Sequence, residues 1–324
     1  MAARMTGRRR SLRTRLAVRL LVPAAWLLNR LPDRLLHRLA DRLGGVAHLL
    51  QRRRRRLVTD NLRRVCAWLA AHDMATPPVA VAATDERALA RLVRAAFGHY
   101  VRSYLESLIV EHYAGPALAE RLTADDPALV ERVFGDGAGR GRPLLLVGLH
   151  FGAIEIPALW ATAHGVALTS PMETLDDPDL QAFLLRRRGA SGLTLIPVAG
   201  AHRELSARLA QGEGVAIVAD RLVGGSGARV EVFGAPARLP IGPAVLALES
   251  GAPAWAVATR RTSPGEYRTR VEPIELPAGG TRRERLAGFM ANQVGAYERL
   301  IADAPEQWWT LFFPIWEHGQ KGRR

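Results

Sequence analysis

The sequence contains one cysteine, Cys66, one lysine, Lys321, no Gly-x-Ser-x-Gly string and no long apolar run. A single thiol excludes an internal disulfide and any cysteine-based zinc cluster, and it suits a reducing compartment. Without a serine elbow, and with Cys66 in a helical lead-in, neither a serine nor a thiol nucleophile has a setting. The longest apolar stretch, Leu20 to Leu28, contains Pro23 and falls well short of the ~20 apolar residues that a spanning helix needs. No small-residue cleavage site marks a secretory signal. His37, His48, His99, His112, His164, His202 and His318 lack partners at metal-ligand spacing and read as structural or surface residues, so no metal or cofactor is expected.

What is present is 324 residues of 48% apolar composition, enough for one large domain or two small ones with a real core. The formal net charge is +14, and its distribution is uneven. Residues 1–60 hold sixteen arginines against Asp33, Asp41 and Asp60, a local charge of +13, which leaves +1 for the rest. From Leu12 to Leu50, Leu, Val, Ala and Trp recur at spacings of three and four between arginines, an amphipathic helical pattern. With the run Arg52 to Arg56, this pattern fits an interfacial helix on an anionic membrane surface, where each basic residue contributes about 1 kcal/mol. A solvated helix packed on the body is the competing reading. Nucleic acid is not expected, because no stacking aromatics are interleaved with the arginines.

Downstream, residues 61–135 read as a helical lead-in, with Asp60 as a helix cap, Pro77 and Pro78 as a break, and a long amphipathic stretch from Ala88 to Val110. Residues 136–324 then alternate short apolar runs (Leu144–Leu149, Gly165–Thr169, Thr194–Val198, Val215–Ala219, Val230–Phe233, Pro253–Thr259) with helical segments. This predicts an α/β fold, a central mixed sheet flanked by helices behind an N-terminal amphipathic membrane-binding region. Residues 61–324 are expected to form one compact unit. Pro305 to Trp316 gathers three tryptophans and two phenylalanines, which suits a cap on the core or a second interfacial contact.

The most informative string runs from the apolar Leu144–Leu149 through His150, Phe151 and Gly152 to Glu155. On a continuous helix a spacing of five would set His150 and Glu155 about 140° apart. If the strand ends at His150 and Gly152 bends the chain into a helix beginning near Ala153, the pair can converge in the crevice where open α/β sheets bind ligands. A histidine there can take the proton of an attacking hydroxyl while a carboxylate holds its tautomer.

With this His-x4-Glu string, residues 143–316 resemble the bacterial lysophospholipid acyltransferase superfamily, in the branch of the lipid A late acyltransferases and phosphatidylinositol mannoside acyltransferases. Further stretches carry the resemblance: Asp177-Pro178 to Arg188, Val215 to Arg221, Val232 to Pro236, Pro240 to Ala244, Leu246 to Pro253, and Pro305 to Trp308 with Pro314 and Trp316. The phosphate loop of the glycerophosphate branch is absent. The resemblance implies acyl transfer from a thioester, acyl-CoA or acyl carrier protein, to a hydroxyl of a glycolipid acceptor on the cytoplasmic face of the plasma membrane. His150 would be the general base, Asp220 its partner and Glu155 an orienter, with the two acids exchanged as the alternative. Arg188 would grip donor phosphate or polarise the carbonyl, and Arg221 and Arg238 are further candidates for substrate phosphate. A phosphatidylinositol mannoside is the expected acceptor. A lipid A type or other lysophospholipid acceptor, a non-catalytic scaffold and a thioesterase are the alternatives.

Overall fold

The protein was studied as a computed structural model that describes residues 12–113, 116–135, 137–189, 192–222 and 226–317. Residues 1–11 of the basic arm, Asp136, His318 and Lys321 lie outside the described residues, as do the side chains of Arg15 and Arg19.

The chain opens with five helices: α1 (Leu12–Leu28), α2 (Asp33–Leu50), α3 (Arg52–Ala71), α4 (Pro77–Thr84) and α5 (Glu86–Leu108). Then come α6 (Pro116–Arg121), β1 (Leu122–Ala124), α7 (Pro127–Phe134), β2 (Leu144–Gly152), α8 (Ile156–Ala163), β3 (Leu168–Met172), α9 (Pro178–Gly189) and β4 (Leu193–Pro197). The chain continues through α10 (Ala201–Ala210), β5 (Gly214–Val218), β6 (Gly227–Val232), β7 (Ala235–Pro240), α11 (Gly242–Ser250), β8 (Ala254–Ser263), β9 (Glu266–Ile274) and α12 (Arg282–Ala302). Two short 3-10 turns, Pro305–Gln307 and Trp309–Phe312, follow α12.

Seven strands form one mixed sheet in the order β1-β9-β8-β2-β5-β3-β4, while β6 and β7 form a separate antiparallel hairpin. Only the β8–β9 pair is antiparallel within the large sheet. Strand β2 lies inside it, between β8 and β5, and its Leu144–Val147 run is buried throughout, as a parallel strand covered on both faces requires. The strand's period of two splits its side chains. Leu145, Val147, Leu149 and Phe151 enter the large core with α3, α5, α11 and α12, whereas Leu144 and Leu146 join α7 and α8 on the other face. Full burial of each such leucine contributes about 1.5–3 kcal/mol.

Several boundaries differ from the sequence expectation. Asp60 does not cap a helix, because α3 already begins at Arg52; Asp60 lies within it and pairs with Arg63 at 3.3 Å. The expected strand Gly165–Thr169 is displaced to Leu168–Met172, where β4 offers a five-residue parallel partner. Pro171 is tolerated there because β3 pairs with β5 only at Leu168 and Thr169, so its missing N–H faces an open side.

Helix α2 packs along α5, with Leu36, His37, Ala40 and Gly44 buried. The two backbones meet at Gly44 and Gly98, where a Cβ on Gly44 would collide with the Gly98 main chain, and Arg102 pairs with Asp41 beside that crossing. The outer faces of α1 and α2 hold Leu20, Trp26, Leu27, Leu43, Leu49 and Leu50 in the open, the last 77% exposed. No described helix is long and apolar enough to cross a membrane.

Candidate active site

The register of the parallel pair β2–β5 builds the centre of the site. Gly148 lies opposite Val218. Two residues on, a step that restores the same face of each strand, stand His150 and Asp220. His150 Nδ1 lies 2.7 Å from Asp220 Oδ1. This is the carboxyl end of the sheet, where open α/β folds place ligands.

The carboxylate is enclosed on every side. Asp220 is buried, and its second oxygen accepts from Trp308 Nε1 and from Thr310 Oγ1, each at 2.7 Å. Burial pushes the Asp220 carboxyl up; the charge and hydrogen bond of His150, with the bonds from Thr310 and Trp308, outweigh that and hold it below the usual carboxylate range. An ionised Asp220 can only accept, so Nδ1 carries a hydrogen, and in the neutral ring the lone pair is on Nε2. A depressed folded pKa contributes stability that is complete above the unfolded value of about 3.9 and is lost as pH falls through the lower folded value. Urea unfolding as a function of pH is therefore expected to show wild type ahead of Asp220→Asn at pH 5 and above. That gap should close in acid.

Glu155 does not touch the imidazole. The chain bends at Gly152, whose φ of +51° is a left-handed conformation that favours glycine, and an added Cβ there would strike the Thr259 carbonyl. The bend is longer than expected, for α8 begins at Ile156 and leaves Glu155 as its N-cap residue without a capping side-chain bond. Instead Glu155 Oε1 accepts from Arg188 Nε at 2.9 Å and from Ser107 Oγ at 3.1 Å. The expected arginine and orienting acid are thus joined to one another. Arg221 forms no ion pair with Asp220; its guanidinium lies 4.2 Å from the Phe313 ring centroid. Arg238 is exposed on β7 and donates to the Gly227 carbonyl at 2.9 Å, a contact internal to the β6–β7 hairpin.

Other residues at the site were not read from sequence. Trp309 stands edge-on to His150 with ring centroids 5.3 Å apart, and Tyr104 lies 5.8 Å from Trp309. Behind the bend, Arg261 Nη2 donates to the Gly152 carbonyl at 2.9 Å and to Ser103 Oγ at 3.1 Å, and its guanidinium pairs with Glu106. Helix α5 thus supplies Ser103, Glu106 and Ser107 to the segment between His150 and Glu155. Aromatic crowding in Pro305–Trp316 was the signal for Trp309, and for Trp308 it added to the family resemblance of Pro305 to Trp308. That segment does pack into the core, with Trp308, Leu311 and Phe312 buried.

Residues 4–316 match the family model for bacterial lipid A biosynthesis acyltransferases. The chain belongs to that family. It is also similar to a phosphatidylinositol mannoside acyltransferase of Mycolicibacterium smegmatis, 29% identical over 166 residues, which are 50% of this chain and 53% of the relative. A phosphatidylinositol mannoside acyltransferase of Mycobacterium tuberculosis is 33% identical over 119 residues, 36% of this chain and 37% of that protein. The chain therefore spans about half, or less, of the length of these curated relatives. Among the described residues of this family member, no group of three or more His, Cys, Asp or Glu side chains could hold a metal ion.

Proposed function

We propose that the chain transfers a fatty acyl group from acyl-CoA to a hydroxyl of a glycolipid acceptor, foremost a phosphatidylinositol mannoside, while seated on the cytoplasmic face of the plasma membrane. The observation that carries this reading is the 2.7 Å contact between a buried Asp220 and a His150 whose side chain keeps 25% of its surface exposed. His150 Nε2 takes the proton as the acceptor oxygen attacks the thioester carbonyl, and Asp220 stabilises the imidazolium that forms. Collapse of the tetrahedral adduct breaks the carbon–sulfur bond, and the imidazolium returns the proton to the departing thiolate. Direct attack of this kind forms no acyl-enzyme. The names of the two mycobacterial relatives support the mannoside acceptor, and the family description supports a lipid A type acceptor as the second reading.

Arg188, fixed by Glu155, is the cation assigned to the developing oxyanion or to donor phosphate. Arg188→Ala is expected to lower turnover by about 10²–10³-fold, as loss of an oxyanion donor does; wild-type turnover would dismiss it. The exposed apolar faces of α1 and α2, with the arginines at the start of α3, are the assigned membrane contact. Vesicle flotation is expected to show binding to anionic vesicles that weakens as salt rises, since exposed charges are screened.

The reaction is tested by incubating the protein with labelled palmitoyl-CoA and vesicles that carry phosphatidylinositol mannoside, a lipid A precursor, or neither, followed by mass spectrometry of the lipids. An acylated mannoside is the expected product. An acylated lipid A precursor would move the assignment to the second acceptor, and thioester consumption at equal rate in all three samples would make the protein a thioesterase.

A further inference from the structure

Two arginines that lie against aromatic rings, Arg54 and Arg221, have no acidic counterpart among the described residues. Arg54, in the first turn of α3, lies 5.9 Å from the ring centroid of Tyr100, and Arg221, directly after Asp220, lies over Phe313. Both are half-buried, and no carboxylate among the described residues lies within ion-pair reach of either. Withdrawing a cation from water without a counter-charge is costly. A guanidinium lying on an aromatic face keeps its in-plane N–H fork available to an anion.

Adjoining aromatic rings link the two cations: Arg54 faces Tyr100, Tyr100 stacks on Phe312, and Arg221 faces the next residue, Phe313. Burial pushes the Tyr100 hydroxyl up, its contact with Tyr104 adds to that, and the charges of Arg54 and Arg221 both act against it. The Tyr100 and Tyr104 hydroxyls lie 3.0 Å apart, and Tyr100 stacks on Phe312 with ring centroids 4.1 Å apart. From Tyr100 the aromatic contacts pass to Trp309 and from Trp309 to His150. Along the chain, Arg54 follows by four residues Leu50, the most exposed large apolar side chain described.

We propose that Arg54 and Arg221, with the Tyr100 and Tyr104 hydroxyls, form a phosphate-ester site that holds the phosphodiester of the acceptor lipid; this rests on the glycolipid reading of the same site. The order of groups matches such a lipid: apolar side chains at Leu49 and Leu50 for its hydrocarbon, arginines for its phosphate, and His150 for a hydroxyl on its sugar. Coenzyme A carries the same chemistry, so the two sources must be separated experimentally. Bidentate guanidinium–phosphate contacts are charge-assisted, and loss of both is expected to exceed tenfold in affinity.

The test is isothermal titration of wild type and of an Arg54→Gln, Arg221→Gln double variant with dihexanoyl phosphatidylinositol as monomer and, separately, with coenzyme A. The double variant is expected to bind the short-chain lipid at least tenfold more weakly, with affinity for coenzyme A changed less than twofold. Arg54→Lys, which keeps the charge, is expected to recover part of the loss, and matching thermal unfolding curves would establish that the variants are folded. Should a variant fail to fold, wild type alone decides: phosphate above about 10 mM is expected to compete with the short-chain lipid, and no competition would overturn the site. Loss confined to coenzyme A would assign the arginines to the donor and overturn the lipid assignment, and unchanged lipid affinity would overturn the site altogether. Wild type that binds the lipid yet fails to acylate any mannoside would contradict the proposed reaction while leaving the phosphate site standing.

Discussion

His150→Ala is expected to lower acyl transfer by about 10²–10⁴-fold, the range over which a positioned general base contributes. The imidazole projects from the carboxyl end of a buried central strand, while the carboxylate that fixes its tautomer is clamped by Trp308 and Thr310. Neither can be replaced by a neighbour, for Glu155 is committed to Arg188 and Ser107. Asp220→Asn should fall close to His150→Ala, since an amide that donates toward Nδ1 selects the wrong tautomer, and the double variant should be scarcely worse than either single one because the two act as a unit. Initial rates with labelled palmitoyl-CoA and acceptor vesicles measure this. Undiminished transfer by folded His150→Ala would leave only a non-catalytic role for the ring.

The second large effect concerns stability. Arg261→Leu is expected to destabilise the protein by about 3–5 kcal/mol, because it strands the Glu106 carboxylate in the interior. Arg261 Nε donates to Glu106 at 2.8 and 3.0 Å, Tyr267 donates to the same carboxylate at 3.2 Å, and Gln307 brackets the Arg261 backbone through its N–H at 2.9 Å and its carbonyl at 3.0 Å. Removing both charges together, Glu106→Leu with Arg261→Leu, should recover much of the loss, since a matched apolar pair has no buried charge to leave unpaired. The folded double variant should still turn over more slowly than wild type, for the Gly152 carbonyl would have lost its guanidinium anchor between His150 and Glu155. Urea unfolding of the three variants gives the cycle, and additive single losses would contradict the pairing.

Sequence patterning reached β2, β4, β5 and β8 because they are short, largely apolar runs bounded by turn residues, and the helices between them follow their own period. It missed β9, where Tyr267, Thr269 and Val271 face inward between exposed or half-buried charges, an alternation that was visible but hidden by the arginines. It missed β7, whose Pro236 and Pro240 argue against a strand until β6 is known to supply a two-stranded partner. Within the site, His150, Glu155, Asp220 and Arg188 were legible as residues. That Asp220 meets the imidazole was expected from the family resemblance, with Glu155 as the alternative, because the pairing follows from the β2–β5 register and no local spacing encodes it. Arg261 and Glu106 are 155 positions apart, and Asp220 and Trp308 are 88 apart. A lone sequence carries no periodicity over such distances.

Nitrogen-15 NMR of selectively labelled His150 at neutral pH, in the folded protein, addresses the proton-shuttling role most directly. The expected spectrum has a protonated Nδ1 bonded to Asp220 and a bare Nε2 directed to the acceptor, and Asp220→Asn should abolish that preference. A ring protonated at Nε2, with Nδ1 bare, could not accept the acceptor's proton and would contradict the mechanism.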